Sequence, residues 1–245
     1  MRHGERKDSA PRHSNPRAPV RIFLLGSVCM RLIPLDVLGI NLDIPFLPPL
    51  TKNAAELDSF ATWLCDAENG LSLRPDQVRL KTWDDLFGYE LVAYFFGDNG
   101  LITRTGERIK LSIRNARTAG DWEIVRRVLL RFYTHMAFPP QSLTTFSAHA
   151  HSRFSSAEQL DLYFRQFAQP QISSRPAVFS YVKIADWESD IRVLIEKSNA
   201  YPDALFIAWD TQFKHAQDWE SFIGSLPTMM ENSAHLFDLA ITPMR

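Results

Sequence analysis

The strongest constraint on this chain is a pattern that occurs twice. An apolar stripe of Leu57, Phe60, Ala61 and Leu64 follows Asn53, with Glu56 three residues beyond the Asn. Leu160, Tyr163, Phe164 and Phe167, each 103 positions downstream, follow Ser155 with Glu158 three residues beyond it. An Asn or Ser oxygen accepts from the backbone N–H groups that open a helix, and a Glu at the third position completes a capping box. Each block therefore predicts a helix with one buried face. A second pair, Ala119-Gly120-Asp121-Trp122-Glu123 and Ala216-Gln217-Asp218-Trp219-Glu220, recurs at an offset of 97. Two anchors in the same order at nearly the same offset point to a tandem repeat.

The residues between the anchors read as strands and longer helices. Leu38, Ile40, Leu42 and Ile44 alternate within 32–44, the period of a half-buried strand, and Pro45, Pro48 and Pro49 end it. Further strands are predicted at about 77–83, 89–97, 100–105, 107–114, 143–151, 177–185, 189–196 and 203–210. Gly97-Asp98-Asn99-Gly100 supplies residues that tolerate positive φ in a hairpin turn. Trp122, Val125, Leu129, Phe132 and Met136 share one face of a helix over 119–137. Trp219, Phe222, Leu226, Met230, Ser233, Phe237 and Ala240 mark a last helical segment from about 216, which Pro227 should kink or split.

The expected architecture is α+β: a tandem duplicated β-α-β(3–4)-α unit with mainly antiparallel sheets and four principal helices. Residues 1–19 read as a disordered basic tail, 20–140 as the first half and 141–245 as the second, the halves packing as one globular unit. Each half is expected to be a curved sheet gripping its longer helix. A chain of 245 residues that is 45% apolar has ample material for such a core. This element order resembles the duplicated saddle of TATA-binding-protein-like folds, a likeness of fold that carries no function. Trp219, Leu226-Pro227, Ala234-His235-Leu236-Phe237 and Ala240-Ile241-Thr242 resemble the closing helix of a sporadically distributed bacterial family of about this length. That family has no assigned activity, so the resemblance implies a bacterial, cytoplasmic α+β protein and no catalytic residue.

The apolar run 22–30 is about half the length that crosses a bilayer, and Val28 before Cys29 suits a lipoprotein cleavage site badly. A cytoplasmic protein with no membrane association is the expectation. Cys29 and Cys65 are too few for a disulfide framework.

Chemistry is sparse. His149 and His151, two apart on a strand, share a face and could reach one ion, with a third ligand from His135 or an acid. The alternation with Ala148 and Ala150 favours a polar strand face instead. A Cys65–His149 pair would need the fold to bring the two together. Asp84-Asp85, and Asp186-Trp187-Glu188 with Asp190, sit at strand ends, where Asp initiates turns. The six Trp residues read as core or half-core anchors. No Gly-x-Ser-x-Gly elbow or phosphate-binding loop is present, and no cofactor is expected.

Charge is the most informative functional signal. Eight bases lie between 104 and 131 against three acids, whereas ten acids face four bases between 184 and 245, in a chain of net charge −1. Arg104, Arg108, Lys110, Arg114 and Arg117 make a strip for a nucleic acid or an anionic partner, with Arg108, Lys110 and Arg114 on one strand face. The absence of a catalytic constellation makes a non-enzymatic binding or regulatory protein, acting through a protein partner, the leading reading. Nucleic-acid binding along the strip is the alternative. A small-molecule or metal-dependent enzyme is the third class, and it would need His149, His151 or Asp186 inside an apolar pocket.

Overall fold

A computed structural model describes residues 31–135, 143–167, 177–183, 190–213 and 219–242. The basic tail, the apolar run 22–30, Met136 and the Asp186-Trp187-Glu188 group lie outside the described residues. In chain order the elements are β1 (Arg31–Pro45), α1 (Ala54–Cys65), β2 (Val78–Thr82), β3 (Tyr89–Phe95), β4 (Gly100–Thr105), β5 (Arg108–Ala116) and α2 (Ala119–His135). They continue with β6 (Thr144–Arg153), α3 (Ala157–Arg165), β7 (Ala177–Val182), β8 (Ile191–Lys197), β9 (Ala204–Phe213), α4 (Trp219–His235) and β10 (Leu239–Thr242).

Nine strands form one antiparallel sheet in the order β2-β3-β4-β5-β1-β6-β9-β8-β7. The protein is thus α+β, with four α-helices among the described residues. Instead of one sheet per half there is a single sheet, because β1 and β6 pair at its centre with Asn41 opposite Ser147. β10 pairs in parallel with the opening residues of β1, Arg31 opposite Leu239.

Strict alternation divides the sheet into two faces. In β3 and β4 every second residue is buried, and in β6 Ala148 and Ala150 are fully buried while His149 and His151 are not. The buried set joins Phe60, Trp63 and Leu64 of α1, Leu129 and Phe132 of α2, Leu160 and Phe164 of α3 and Phe222 and Leu226 of α4 in one hydrophobic cluster. All four helices therefore cover the same face. Burying side chains of this size contributes roughly 1.5–3 kcal/mol each, which fixes the register of every strand.

Local signals account for most element ends. Asn53 caps α1 by accepting from the Glu56 N–H. α2 opens on Thr118, whose hydroxyl accepts from the Asp121 N–H while the Asp121 carboxylate accepts from the Thr118 and Arg117 N–H groups. These bonds hold the Asp121 carboxyl below its ordinary range, the one from Arg117 contributing most. In α3 the cap is Ser156 rather than Ser155, accepting from the Gln159 N–H. The helix α4 runs unbroken through Pro227 and stops at His235, so Phe237 and Ala240 are not helical as expected. Asp238, at φ 56, turns the chain into β10 instead.

The six tryptophans do not behave alike. Trp63, Trp209 and Trp219 are buried, Trp122 is half-buried, Trp83 is 50% exposed, and Trp187 lies outside the described residues. Trp219 stacks on Tyr133, meets Phe146 of β6 edge-on and donates its indole N–H to the Leu129 carbonyl, so it lies between the helix pair α2–α4 and the sheet. A strict repeat requires Trp122 and Trp219 to lie at equal depth. The structure places them unequally.

Candidate functional site

The face of the sheet opposite the helices meets no other described element. Its residues align in cross-strand rows set by the register. The central row runs Tyr94, Leu101, Ser112, Asn41, Ser147, Asp210, Arg192 and Tyr181. Its middle is polar: Ser112 donates to the Asn41 side-chain oxygen at 2.7 Å, and the Asn41 amide reaches the Ser147 hydroxyl at 3.5 Å. Its ends are aromatic. Tyr181 and Phe179, on the β7 side, are both 65% exposed.

Arg108, Lys110 and Arg114 share this open face, as alternation requires, and all three are exposed. Two of them converge on one carboxylate. Asp43 of the neighbouring strand lies opposite Lys110, and its Oδ2 is 3.3 Å from Arg108 Nη1 and 3.5 Å from Lys110 Nζ. Arg114 and Arg117 have no carboxylate partner among the described residues. Arg117 lies beyond the end of β5, where its N–H joins the α2 cap.

Arg104 belongs elsewhere, and the five-residue strip is corrected to that extent. It sits opposite Ile109 on the helix-covered face, is only 5% exposed, pairs with Glu56 of α1, and lies over the Phe60 ring at 4.8 Å. The residue parity that puts Arg108 outward puts Arg104 inward across the β4–β5 hairpin. Glu56, read from sequence as part of a cap, is instead the counter-ion of this buried guanidinium.

His149 and His151 lie on the open face with ring centroids 6.5 Å apart. Gly39 is opposite His149, and a Cβ there would come within 2.3 Å of the imidazole, so the ring lies across β1 only because that residue is glycine. Phe206 packs near both rings, and Tyr201 meets His151 edge-on. Burial pushes both imidazoles below their ordinary pKa; for His149 the positive charges of His151 and Arg114 add to it. Both are therefore neutral near pH 7, a state that can ligate a metal. No third ligand joins them: among the described residues no group of three His, Cys, Asp or Glu could hold an ion. His135, the suggested third ligand, stacks on Trp63 at 4.0 Å on the helix-covered side. Cys65 ends α1 on that same side, so the sheet separates it from His149.

The acid pairs behave as turn residues where they are described. Asp85 accepts from the Phe87 N–H, an Asx turn between β2 and β3, and Asp190 is exposed just before β8. Two further ion pairs on the open face had no sequence signal, Arg192–Asp210 at 2.8 Å and Arg153–Asp36 at 2.6 Å. Each joins strands whose adjacency depends on sheet order and register. Alternation shows which face a residue takes but not which strand lies beside it.

No helix among the described residues is long and apolar enough to cross a membrane. No family model, no curated protein and no solved structure matches the chain.

Proposed function

We propose that this is a non-enzymatic binding protein whose open sheet face docks a protein partner. The observation that carries it is the state of the charges on that face. Arg108 and Lys110 share Asp43, Arg192 is held by Asp210, and Arg153 by Asp36. Cross-strand pairing of this kind weakens the field with which the strip could hold a polyanion. What remains is a polar centre flanked by Tyr94 and Leu101 on one side and Phe179, Tyr181 and Leu194 on the other. Aromatic anchors around satisfied polar groups are the composition of protein interfaces.

A duplication of the β-α-β(3–4)-α unit underlies this face in our reading. The recurrences at offsets of 103 and 97 support it. So does the strand order, in which β5, β4 and β3 follow outward from β1 as β9, β8 and β7 do from β6. The unequal depths of Trp122 and Trp219 mean that any such halves have diverged in helix packing.

Ser147→Arg, at the centre of the face, tests the docking surface. Affinity capture from the source cells should recover a reproducible partner with the native chain and lose it with the variant, at unchanged melting temperature. Recovery of no reproducible partner, or full retention by the variant, would overturn the proposal. The unpartnered Arg114 and Arg117 favour one second reading, nucleic-acid binding. It requires affinity for duplex DNA or RNA that falls steeply with salt and is lost in Arg108→Glu/Arg114→Glu.

A further inference from the structure

A cleft of about 370 Å³ lies on the helix-covered side of the sheet, remote from the open face, between α2 and the segment 67–77 that follows α1. Its size falls within the range of small-molecule sites, roughly 300–1,000 Å³. Leu71, Leu73, Phe96, Ile124 and Val128 give it apolar walls. Arg127 and Arg131, one helical turn apart on α2, also line it.

Neither arginine forms an ion pair among the described residues, although the Asp66 charge acts on Arg131 from a distance. Arg127 is exposed and has no carboxylate partner among the described residues, since the α2 carboxylate Glu123 pairs with Arg126. Arg131 donates from Nη1 to the Gly70 carbonyl, a neutral acceptor. Asp66 is the nearby acid, and its side-chain oxygens are taken by the Glu68 and Asn69 N–H groups and the Asn69 amide. Two guanidiniums beside an apolar wall exclude a cationic ligand and make a bare inorganic anion a poor fit for the remaining surface.

The frame around the cleft is tied by hydrogen bonds and by one close backbone approach. Trp63 donates to the Asn69 carbonyl, Ser72 N–H bonds to Asp66, and Leu73 N–H to Leu64. A Cβ on Gly70 would fall 1.6 Å from the Trp63 carbonyl oxygen, so this loop closes onto α1 only through glycine. Two lining residues that are not glycine occupy the left-handed region, Ser72 at φ 57 and Phe96 at φ 54. Phe96 opens the turn between β3 and β4, in which Gly97 and Asp98 also have positive φ, and that turn sets its ring beside the cleft.

We propose that this cleft binds a small amphipathic organic acid, its anionic head on Arg127 and Arg131 and its apolar body against Leu71, Phe96 and Ile124. The site is independent of the docking face. It also differs from a histidine-centred pocket, since His149 and His151 lie across the sheet.

Octanoate, octylammonium and 1-octanol share one tail and differ in head charge, which separates the guanidinium contribution from apolar burial. Calorimetric titration of the full chain should show octanoate binding about tenfold or more tighter than octylammonium, with octanol between them. Amide shifts on octanoate addition should centre on Ser72, Leu73 and Phe96 and spare Asn41 and Ser147. Arg127→Gln removes an exposed, unpaired side chain, so it should keep the native melting temperature and lose about tenfold in octanoate affinity. Equal affinity for octanoate and octylammonium, no octanoate binding, or unchanged affinity in Arg127→Gln would each overturn the proposal.

Discussion

The two faces of the central sheet are built from the same strands, yet they obey different rules. On the covered face, Ala148, Ala150, Ile109 and Leu111 pack with the helices, and charged groups pair with a helix: Arg104 is sealed with Glu56 of α1, and Lys197 reaches Asp161 of α3. On the open face, the residues between them carry imidazoles, hydroxyls and ion pairs formed across neighbouring strands. A shift of one residue exchanges these roles throughout a strand, so the hydrophobic requirement of one face dictates the chemistry displayed on the other. Substitutions on the covered face should therefore act on stability, and those on the open face on binding.

The largest effect should come from Trp219. It is 2% exposed and its indole N–H is bonded to the Leu129 carbonyl, so Trp219→Ala should cost about 3–5 kcal/mol in chemical unfolding. Trp122 is only half-buried, and Trp122→Ala should cost roughly half as much or less. Equal losses would restore the equivalence of the two positions that their environments deny.

The next contrast sets Arg104 against Arg108, two arginines four residues apart on opposite faces. Glu56→Gln leaves the Arg104 guanidinium buried without its charge partner and should destabilise by about 1–3 kcal/mol. Arg108→Gln, which breaks an exposed pair, should change stability by less than about 1 kcal/mol. If Glu56→Gln is neutral, the covered face tolerates an uncompensated charge and the distinction drawn between the faces is wrong.

Much of this division was legible in the sequence, for a physical reason. Alternation in 107–114 and 143–151 placed Arg108, Lys110, Arg114, His149 and His151 on outward positions, because strand period is a property of one strand alone. Arg104 was misplaced by being counted with a run of charges instead of by its parity in β4. The pairing of Asp43 with Arg108 and Lys110, and of Asp210 with Arg192, had no local signal, since those partners are 65 and 18 residues apart. The parallel strand β10 was missed because Phe237 and Ala240 continue a helical spacing that Asp238 interrupts. The cleft beside α2 was equally hidden: Arg127 and Arg131 read as members of a basic stretch until the segment 67–77 is folded against them.

Acid should affect both faces with the same sign, to a smaller extent. His135 on the covered face and His149 and His151 on the open face all have pKa values held below their ordinary 6.5, burial being the first cause in each. Arg104 adds to the effect at His135, while the Asp36 charge opposes it at His151. The unfolded chain takes up these protons near pH 6.5 and the folded chain only at lower pH. Stability should therefore be flat with respect to these groups above about pH 6.5 and fall as pH drops through and below it. His149→Asn/His151→Asn should flatten part of that fall, and the residue should be removed by His135→Asn. A stability that rises between pH 6.5 and 5 would contradict the burial assigned to all three.

The smallest effect on stability, and the most telling for function, belongs to Asp43. Its Oδ2 receives Arg108 and Lys110, while its Oδ1 is buried without a hydrogen-bond partner. Asp43→Asn removes the charge and keeps the shape. Exposed pairs of this kind contribute about 0–1 kcal/mol, so the melting temperature should scarcely move. The field of the open face should change much more, because Arg108, Lys110 and Arg114 then form an uncompensated row. If paired charges are what keep this face from holding polyanions, the variant should gain salt-sensitive affinity for duplex DNA that the native chain lacks. If the native chain already binds DNA as tightly as Asp43→Asn does, the carboxylate is not masking the strip, and the nucleic-acid reading displaces the protein-docking one.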